Sequence, residues 1–239
     1  MNLIIGSFGV VLTLASALTG AITIIFGVRY SRDRLRIIGA RYAWVALAGM
    51  CISTFAMQRG LITRDFSIRY IAENGSSLTP SLYNVATMWS ALEGSILLWG
   101  LILAGYLAVV ARKFRNRLAD PMVSWALVSM FLVMAFFALA MLGPANPFQS
   151  FNPPSGYDGP GPNPLLQNHI LVAFHPPMLY LGYVGFTVPF SFALAALITG
   201  RLGEGWLLQT RRWTLLAWGF LTAGIILGAW WAYDVLGWG

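Results

Sequence analysis

Apolar and polar positions alternate along this chain in blocks rather than residue by residue. Six near-continuous apolar stretches run over Leu3–Val28, Tyr42–Met57, Val85–Val110, Met122–Leu142, Pro176–Ile198 and Trp213–Tyr233. A helix needs roughly 20 apolar residues to cross about 30 Å of hydrocarbon, and five of the stretches meet that length, the second being the shortest. Continuous hydrophobicity on all faces predicts helix, because a backbone exposed to lipid must satisfy its own hydrogen bonds. The fold class this predicts is all-α, a polytopic transmembrane helical bundle.

The segments between the stretches differ in charge. Arg29, Arg32, Arg34, Arg36 and Arg41 follow the first stretch, Arg112, Lys113, Arg115 and Arg117 the third, and Arg201, Arg211 and Arg212 the fifth. The segment between the second and third holds Arg59, Arg64 and Arg69, and that between the fourth and fifth holds no Lys or Arg. Basic residues flank membrane spans on the cytoplasmic side, so both termini are expected on the non-cytoplasmic side. No positive charge precedes the first stretch, so it reads as a retained helix rather than a cleaved signal peptide.

Two outward segments are long. Residues 58–84 contain Asn74-Gly75, a turn signal, and the alternating run Asp65–Tyr70, which suits a short strand or an interfacial segment. Residues 143–175 are rich in Pro, Gly and Asn, with a short helical piece expected around Leu165–Phe174. There is no internal repeat of the kind seen in many transporters.

Composition agrees with a membrane location. With 58% hydrophobic and 10% charged residues, a water-soluble domain would lack the polar surface to coat itself. The single cysteine, Cys51, rules out an internal disulfide and a cysteine metal cluster. The net charge of +7 sits beside the apolar stretches, which favours membrane topology over nucleic-acid binding.

Few side chains have chemistry to offer. The two histidines are His169 and His175, both at the end of the second long segment. His175 stands directly before Pro176-Pro177, which read as the first helical positions and set it at the mouth of the fifth helix. A neutral imidazole there can ligate a metal, haem iron included; on placement alone a capping and anchoring role is favoured. His169, beside Gln167-Asn168, reads as solvated or loop-fixing. Glu93 lies near the outer end of the third stretch, where a carboxylate is either functional or paired with an arginine such as Arg59 or Arg64. Trp230, Trp231 and Trp238 gather with Tyr233 and Asp234 at the outward end of the sixth stretch. An aromatic belt accounts for them, and so does a stacking surface for a flat ligand, with Gly228 and Gly237 allowing close approach.

These residues carry a resemblance. Asn163-Pro164-Leu165-Leu166-Gln167, the run Phe174-His175-Pro176-Pro177-Met178-Leu179-Tyr180-Leu181-Gly182-Tyr183-Val184-Gly185, Trp89–Ser95 with Leu97-Leu98-Trp99, and Gly224–Gly228 leading into Trp231-Ala232-Tyr233 and Leu236–Gly239 together resemble the CcmF family of cytochrome c maturation haem lyases. The nitrite-reductase branch of the same family is the nearest relative to confuse with it. The resemblance runs in order along essentially the whole chain. It implies a protein of the bacterial inner membrane (or the mitochondrial one) that accepts haem b from a periplasmic haem chaperone. The haem is then presented to apocytochrome c, whose Cys-x-x-Cys-His thiols add to the vinyl groups. A thiol-reducing partner and other cytochrome c maturation membrane subunits are implied beside it.

The resemblance also implies site residues. His175 becomes an axial ligand of the haem iron, and residues 224–239 the start of the Trp-rich haem-handling segment called the WWD domain. Trp230, Trp231, Trp238 and Asp234 are then haem-binding, with Glu93, Trp89, His169 and Arg64 in support. In the family this segment continues beyond Gly239, and a second axial histidine and the two histidines of a transmembrane haem b lie there. The chain is therefore expected to be a fragment or split-gene product, inactive alone. Pro162, before Asn163, departs from the family pattern. Two other classes remain open on the residues: a small-molecule transporter, or a structural scaffold without haem.

Overall fold

A computed structural model describes residues 1–164, 169–201, 203 and 205–237. Its helices are α1 (Asn2–Arg29), α2 (Asp33–Thr63), α3 (Arg69–Asn74), α4 (Ser81–Ala86), α5 (Leu92–Lys113), α6 (Pro121–Leu142), α7 (Leu171–Gly185), α8 (Thr187–Thr199) and α9 (Gly205–Leu236). Among the described residues, six helical spans are long and apolar enough to cross a membrane, α7 and α8 together forming the fifth. The architecture is the all-α transmembrane bundle that the apolar blocks predict.

α1 and α2 pair through small residues. A Cβ on Gly9 would lie 2.5 Å from the Gly49 carbonyl, so the two backbones touch. Ser53 Oγ donates to the Gly6 carbonyl at 2.8 Å, and Thr13 Oγ1 to those of Gly9 (2.9 Å) and Ala46 (3.3 Å). In hydrocarbon there is no hydrophobic drive between helices, so close packing and such interhelical bonds hold them. α6 lies against α1 and α8, with the fully buried Phe131 filling the space over Gly20. α5 fits between α2, α6 and α7, and α9 packs on α7 and α8.

The helix limits depart from the apolar limits where polar groups find partners inside the bundle. α2 begins at Asp33, nine residues before Tyr42. Arg36 is buried in its first turns and donates to the carbonyls of Gly27 and Ala119. The third stretch is not one helix. α4 is followed by a 3₁₀ turn at Thr87–Trp89, and Ala91 is extended before α5 begins at Leu92. The chain turns so tightly that a Cβ on Gly94 would fall 1.8 Å from the Met88 carbonyl. Tyr70 Oη braces the turn by donating to the Thr87 and Met88 carbonyls. The sixth helix starts at Gly205 and carries Arg211 and Arg212 within it.

The two long segments fold onto each other. Asp65–Tyr70 yields one antiparallel bridge, Ile68 to Ser150, and then turns helical at Arg69. Tyr157 Oη donates to the Ala72 carbonyl (2.9 Å), and the Ser77 N–H donates to Asp158 Oδ1 (2.9 Å). Ser77 hydrogen bonds hold the Asp158 carboxyl below its usual range. Burial opposes ionisation of Asp65, but hydrogen bonds from Ser67 and Asn2 outweigh it and lower its pKa.

Basic residues concentrate at the opposite end of the bundle, where Arg201 joins Asp120 across the turns at 2.7 Å. Only Arg59, Arg64 and Arg69 of the fifteen Lys and Arg residues belong to the end with the long segments.

Candidate functional site

At the end with the long segments, α7 begins at Leu171, one turn before His175. Pro176 and Pro177 are therefore inside the helix, not its first residues, and His175 sits in the second turn rather than at a helix mouth. A proline has no N–H, so Pro176 leaves the carbonyl four residues earlier, that of Val172, without its helical donor. The Trp89 indole Nε1–H fills that vacancy at 2.8 Å. At Pro176 a side chain from the 3₁₀ turn thus supplies the bond that the proline ring removes. Trp89 is anchored in turn: Tyr180 Oη donates to Ser95 Oγ (3.1 Å), and Ser95 Oγ to the Trp89 carbonyl (3.1 Å).

α9 closes the other side through Gly224 and Gly228, one turn apart. A Cβ on Gly224 would lie 2.7 Å from Leu179 Cα, and one on Gly228 would lie 2.5 Å from His175 Cε1. The imidazole therefore lies directly on the α9 backbone. Its Nδ1 is 2.7 Å from the Gly224 carbonyl oxygen. A carbonyl only accepts, so Nδ1 carries a proton, and in that tautomer the lone pair falls to Nε2. Metal-ligating histidines use this arrangement, one nitrogen oriented by a backbone carbonyl and the other free. Trp231 runs parallel to the imidazole, 6.5 Å between centroids and 11° between planes. Its buried indole N–H has no hydrogen-bond partner among the described residues.

His175, Trp89, Ser90, Val172, Pro176 and Trp231 line a cavity of about 150 Å³. It is smaller than a porphyrin, so it can receive one edge of a macrocycle beside a free imidazole nitrogen. Among the described residues, an imidazole with Nε2 unbonded and an indole with its N–H unpaired border this mostly apolar cleft, a donor set that suits a planar metal chelate with polar substituents.

The other sequence candidates separate. Trp230, next to Trp231 but rotated about 100° around the helix, is 57% exposed and outside that cavity. Trp238 lies outside the described residues, as do Leu165–Asn168. His169 is occupied at both nitrogens: Nδ1 accepts from the Leu171 N–H (3.2 Å), so Nε2 carries the proton toward Asp234 Oδ2 (3.1 Å). His169 and Asp234 thus tie the start of α7 to the end of α9. Glu93 does not meet Arg59 or Arg64, which turn to Asn2 and to the Ser77 carbonyl. Arg64 does so as the left-handed cap of α2, with φ 54°. Glu93 instead lines a polar cavity of about 190 Å³ with Arg69, Tyr70, Glu73, Pro144, Asn146 and Gln149. A hydrogen bond to Glu73 raises the Arg69 pKa, and burial raises that of the Tyr70 hydroxyl.

Sequence reasoning missed the Gly224 carbonyl, the Trp89–Val172 bond and the Ser95–Tyr180 pair. Two signals pointed there. Glycines four apart in an apolar helix mark close helix contact, and any proline inside a helix frees a nameable carbonyl.

Bundle and cleft define a polytopic helical membrane protein with a histidine held on a backbone carbonyl at one end. Comparison with known proteins narrows this class. The Cytochrome C assembly protein family matches residues 89–239. The chain is 45% identical over 199 residues to "Cytochrome c-type biogenesis protein CcmF" of Pseudomonas aeruginosa, covering 83% of this chain and 29% of that protein. It is 40% identical to CcmF of Escherichia coli (98% and 36% covered) and 36% identical to NrfE of Haemophilus influenzae (98% and 36%). A solved structure, "Cytochrome c Heme Lyase CcmF", superposes with a TM-score of 0.87 at 36% identity, over 100% of this chain and 37% of that one. The chain belongs to the cytochrome c assembly protein family, and it spans about a third of the length of the relatives it matches.

Proposed function

We propose that this chain carries the haem-receiving half-site of a cytochrome c haem lyase, with His175 Nε2 as an axial ligand of haem b. The single observation behind this is the 2.7 Å contact between His175 Nδ1 and the Gly224 carbonyl, which fixes the tautomer and leaves Nε2 as the lone-pair nitrogen of a ring that lines the cleft. The printed names of the relatives, cytochrome c-type biogenesis proteins and a heme lyase, support the same reading. Trp231 and Trp89 form walls of the cleft, and the Trp231 N–H is a donor for a polar substituent of the macrocycle. Asp234 and His169 brace it. Trp230 extends the aromatic surface outward, Trp238 joins the haem-binding residues on the family resemblance alone, and the segment 224–239 opens the WWD domain.

The chemistry assigned to such a complex is addition of a cysteine S–H across each haem vinyl group, with sulfur bonding one carbon and the proton reaching the other. No nucleophile for it is needed from this chain, since the thiols belong to apocytochrome c. What the chain contributes is orientation, whose effect on a two-component reaction is large. A periplasmic haem chaperone as donor, a thiol-reducing partner and further maturation subunits complete the proposal. Basic residues gathered at the far end support a cytoplasmic location for that end, hence a periplasmic or intermembrane-space cleft in an inner membrane.

The test is His175→Ala in the full-length protein. Loss of co-purifying haem and of cytochrome c maturation is expected; unchanged haem content, absorption spectrum and maturation would overturn the ligand role.

A further inference from the structure

At the basic end of the bundle, a cavity of about 350 Å³ opens between α2 and the turn that joins α5 to α6. Arg41 enters from α2, Arg112 from the last turn of α5, and Arg115 from the turn that follows. Ile37 and Trp44, 41% and 47% exposed, form its apolar wall. None of the three guanidinium groups has a hydrogen-bond or ion-pair partner among the described residues. The acids described at this end are engaged elsewhere: Asp33 with Arg36 (3.4 Å), and Asp120 with Arg117 (3.2 Å) and Arg201 (2.7 Å). Three like charges converge on one cavity with no counter-charge from the described protein.

Depth narrows the ligand. Arg41 lies eight residues into α2, about 12 Å along its axis. One turn deeper, Val45 and Val109 are exposed on α2 and α5. The cavity therefore spans the boundary between charged and apolar surface, with a tryptophan at that level, as at a headgroup region. Guanidinium groups pair with phosphate oxygens in a bidentate fork. Basic pockets between membrane helices are built for anionic lipid headgroups.

We propose that Arg41, Arg112 and Arg115 bind the phosphate headgroup of an anionic phospholipid whose acyl chains run along Trp44, Val45 and Val109. A soluble phosphate would use the three arginines and leave the apolar wall without a role. The site is independent of the haem reading, as it lies at the other end of the bundle.

The test uses the full-length protein in nanodiscs of mixed phosphatidylglycerol and phosphatidylcholine, with bound lipid counted by native mass spectrometry. Arg41→Gln, Arg112→Gln and Arg115→Gln together are expected to lower retained phosphatidylglycerol about tenfold. Arg29→Gln, Arg32→Gln and Arg34→Gln, the same charge change at the same end, are expected to leave it near the parent level. Equal retention in both triple variants would overturn the proposal. A second measurement needs no variant: a photoreactive phosphatidylglycerol should label residues 37–45 and 109–116 of the unmodified protein preferentially. Labelling spread evenly over the apolar surface would overturn it. Excess inorganic phosphate is expected not to displace the lipid; displacement would overturn the lipid source.

Discussion

In α6, 56% of the most apolar stretch is buried inside the bundle; in α9 the share is 11%. Both helices are apolar enough to cross a membrane, yet they use that surface differently. α6 fills a core, with Met130, Phe131 and Met134 fully enclosed. α9 commits one edge, the Gly224–Gly228 edge against α7, and leaves Trp218, Ile225, Ile226 and Trp230 outward. In lipid, apolar composition sets what can span, while close packing sets what holds together. The site lies on the narrow packed edge of α9, where a glycine and a carbonyl position one imidazole.

Six substitutions, in four tests, probe that contrast from the largest expected effect down. Phe131→Ala should cost about 3–5 kcal/mol of unfolding free energy by opening a cavity over Gly20. Leu208→Ala, at a position 72% exposed on α9, should cost less than about 0.5 kcal/mol. Similar losses in a denaturant titration of the two would break the comparison. Next, Trp89→Phe removes the donor to the Val172 carbonyl, leaving a half-buried acceptor unmet at about 1–3 kcal/mol. Hydrogen exchange should show earlier opening at the start of α7 and leave α1 and α2 protected.

Two alanines on the same helix sharpen the point. Gly228→Ala drives a methyl into His175 and should displace the imidazole, seen as reduced haem retention in the full-length protein. Gly219→Ala meets no atom within 4 Å and should raise helix stability by up to about 1 kcal/mol. Haem retention equal in both would remove the role of the glycine edge. The smallest effect is expected from pH. The lowered pKa of Asp65 means its carboxylate stabilises the folded loops at neutral pH and down to its unfolded value of about 4. That contribution fades as pH falls further, through the folded pKa. Asp65→Asn should remove this acid sensitivity, read as hydrogen exchange of residues 65–74 between neutral and acid conditions.

Much of the site was legible in the residues. His175 and Trp231 were singled out by type and sidedness, and they do share a cleft. Trp230 was grouped with them by adjacency in the chain, yet successive helical residues point about 100° apart, so only one of the pair can face His175. The start of α7 was misplaced because Pro176-Pro177 usually open a helix, and the indole that lets this one begin earlier is 83 residues away. For Glu93 the residues leave two readings open, a functional carboxylate or one paired with an arginine such as Arg59 or Arg64; both arginines find other partners, and loop folding makes Arg69 its cavity neighbour.

Six apolar blocks and the uneven spread of arginines were enough to specify an all-helical bundle with one end richer in basic residues than the other, because both follow from one-dimensional rules of length and charge. The tautomer of His175, the separation of Trp230 from Trp231, and the pairing of His169 with Asp234 were decided only by the packing of α7 on α9. Those facts depend on distances between residues 49 to 65 positions apart, which no local pattern encodes.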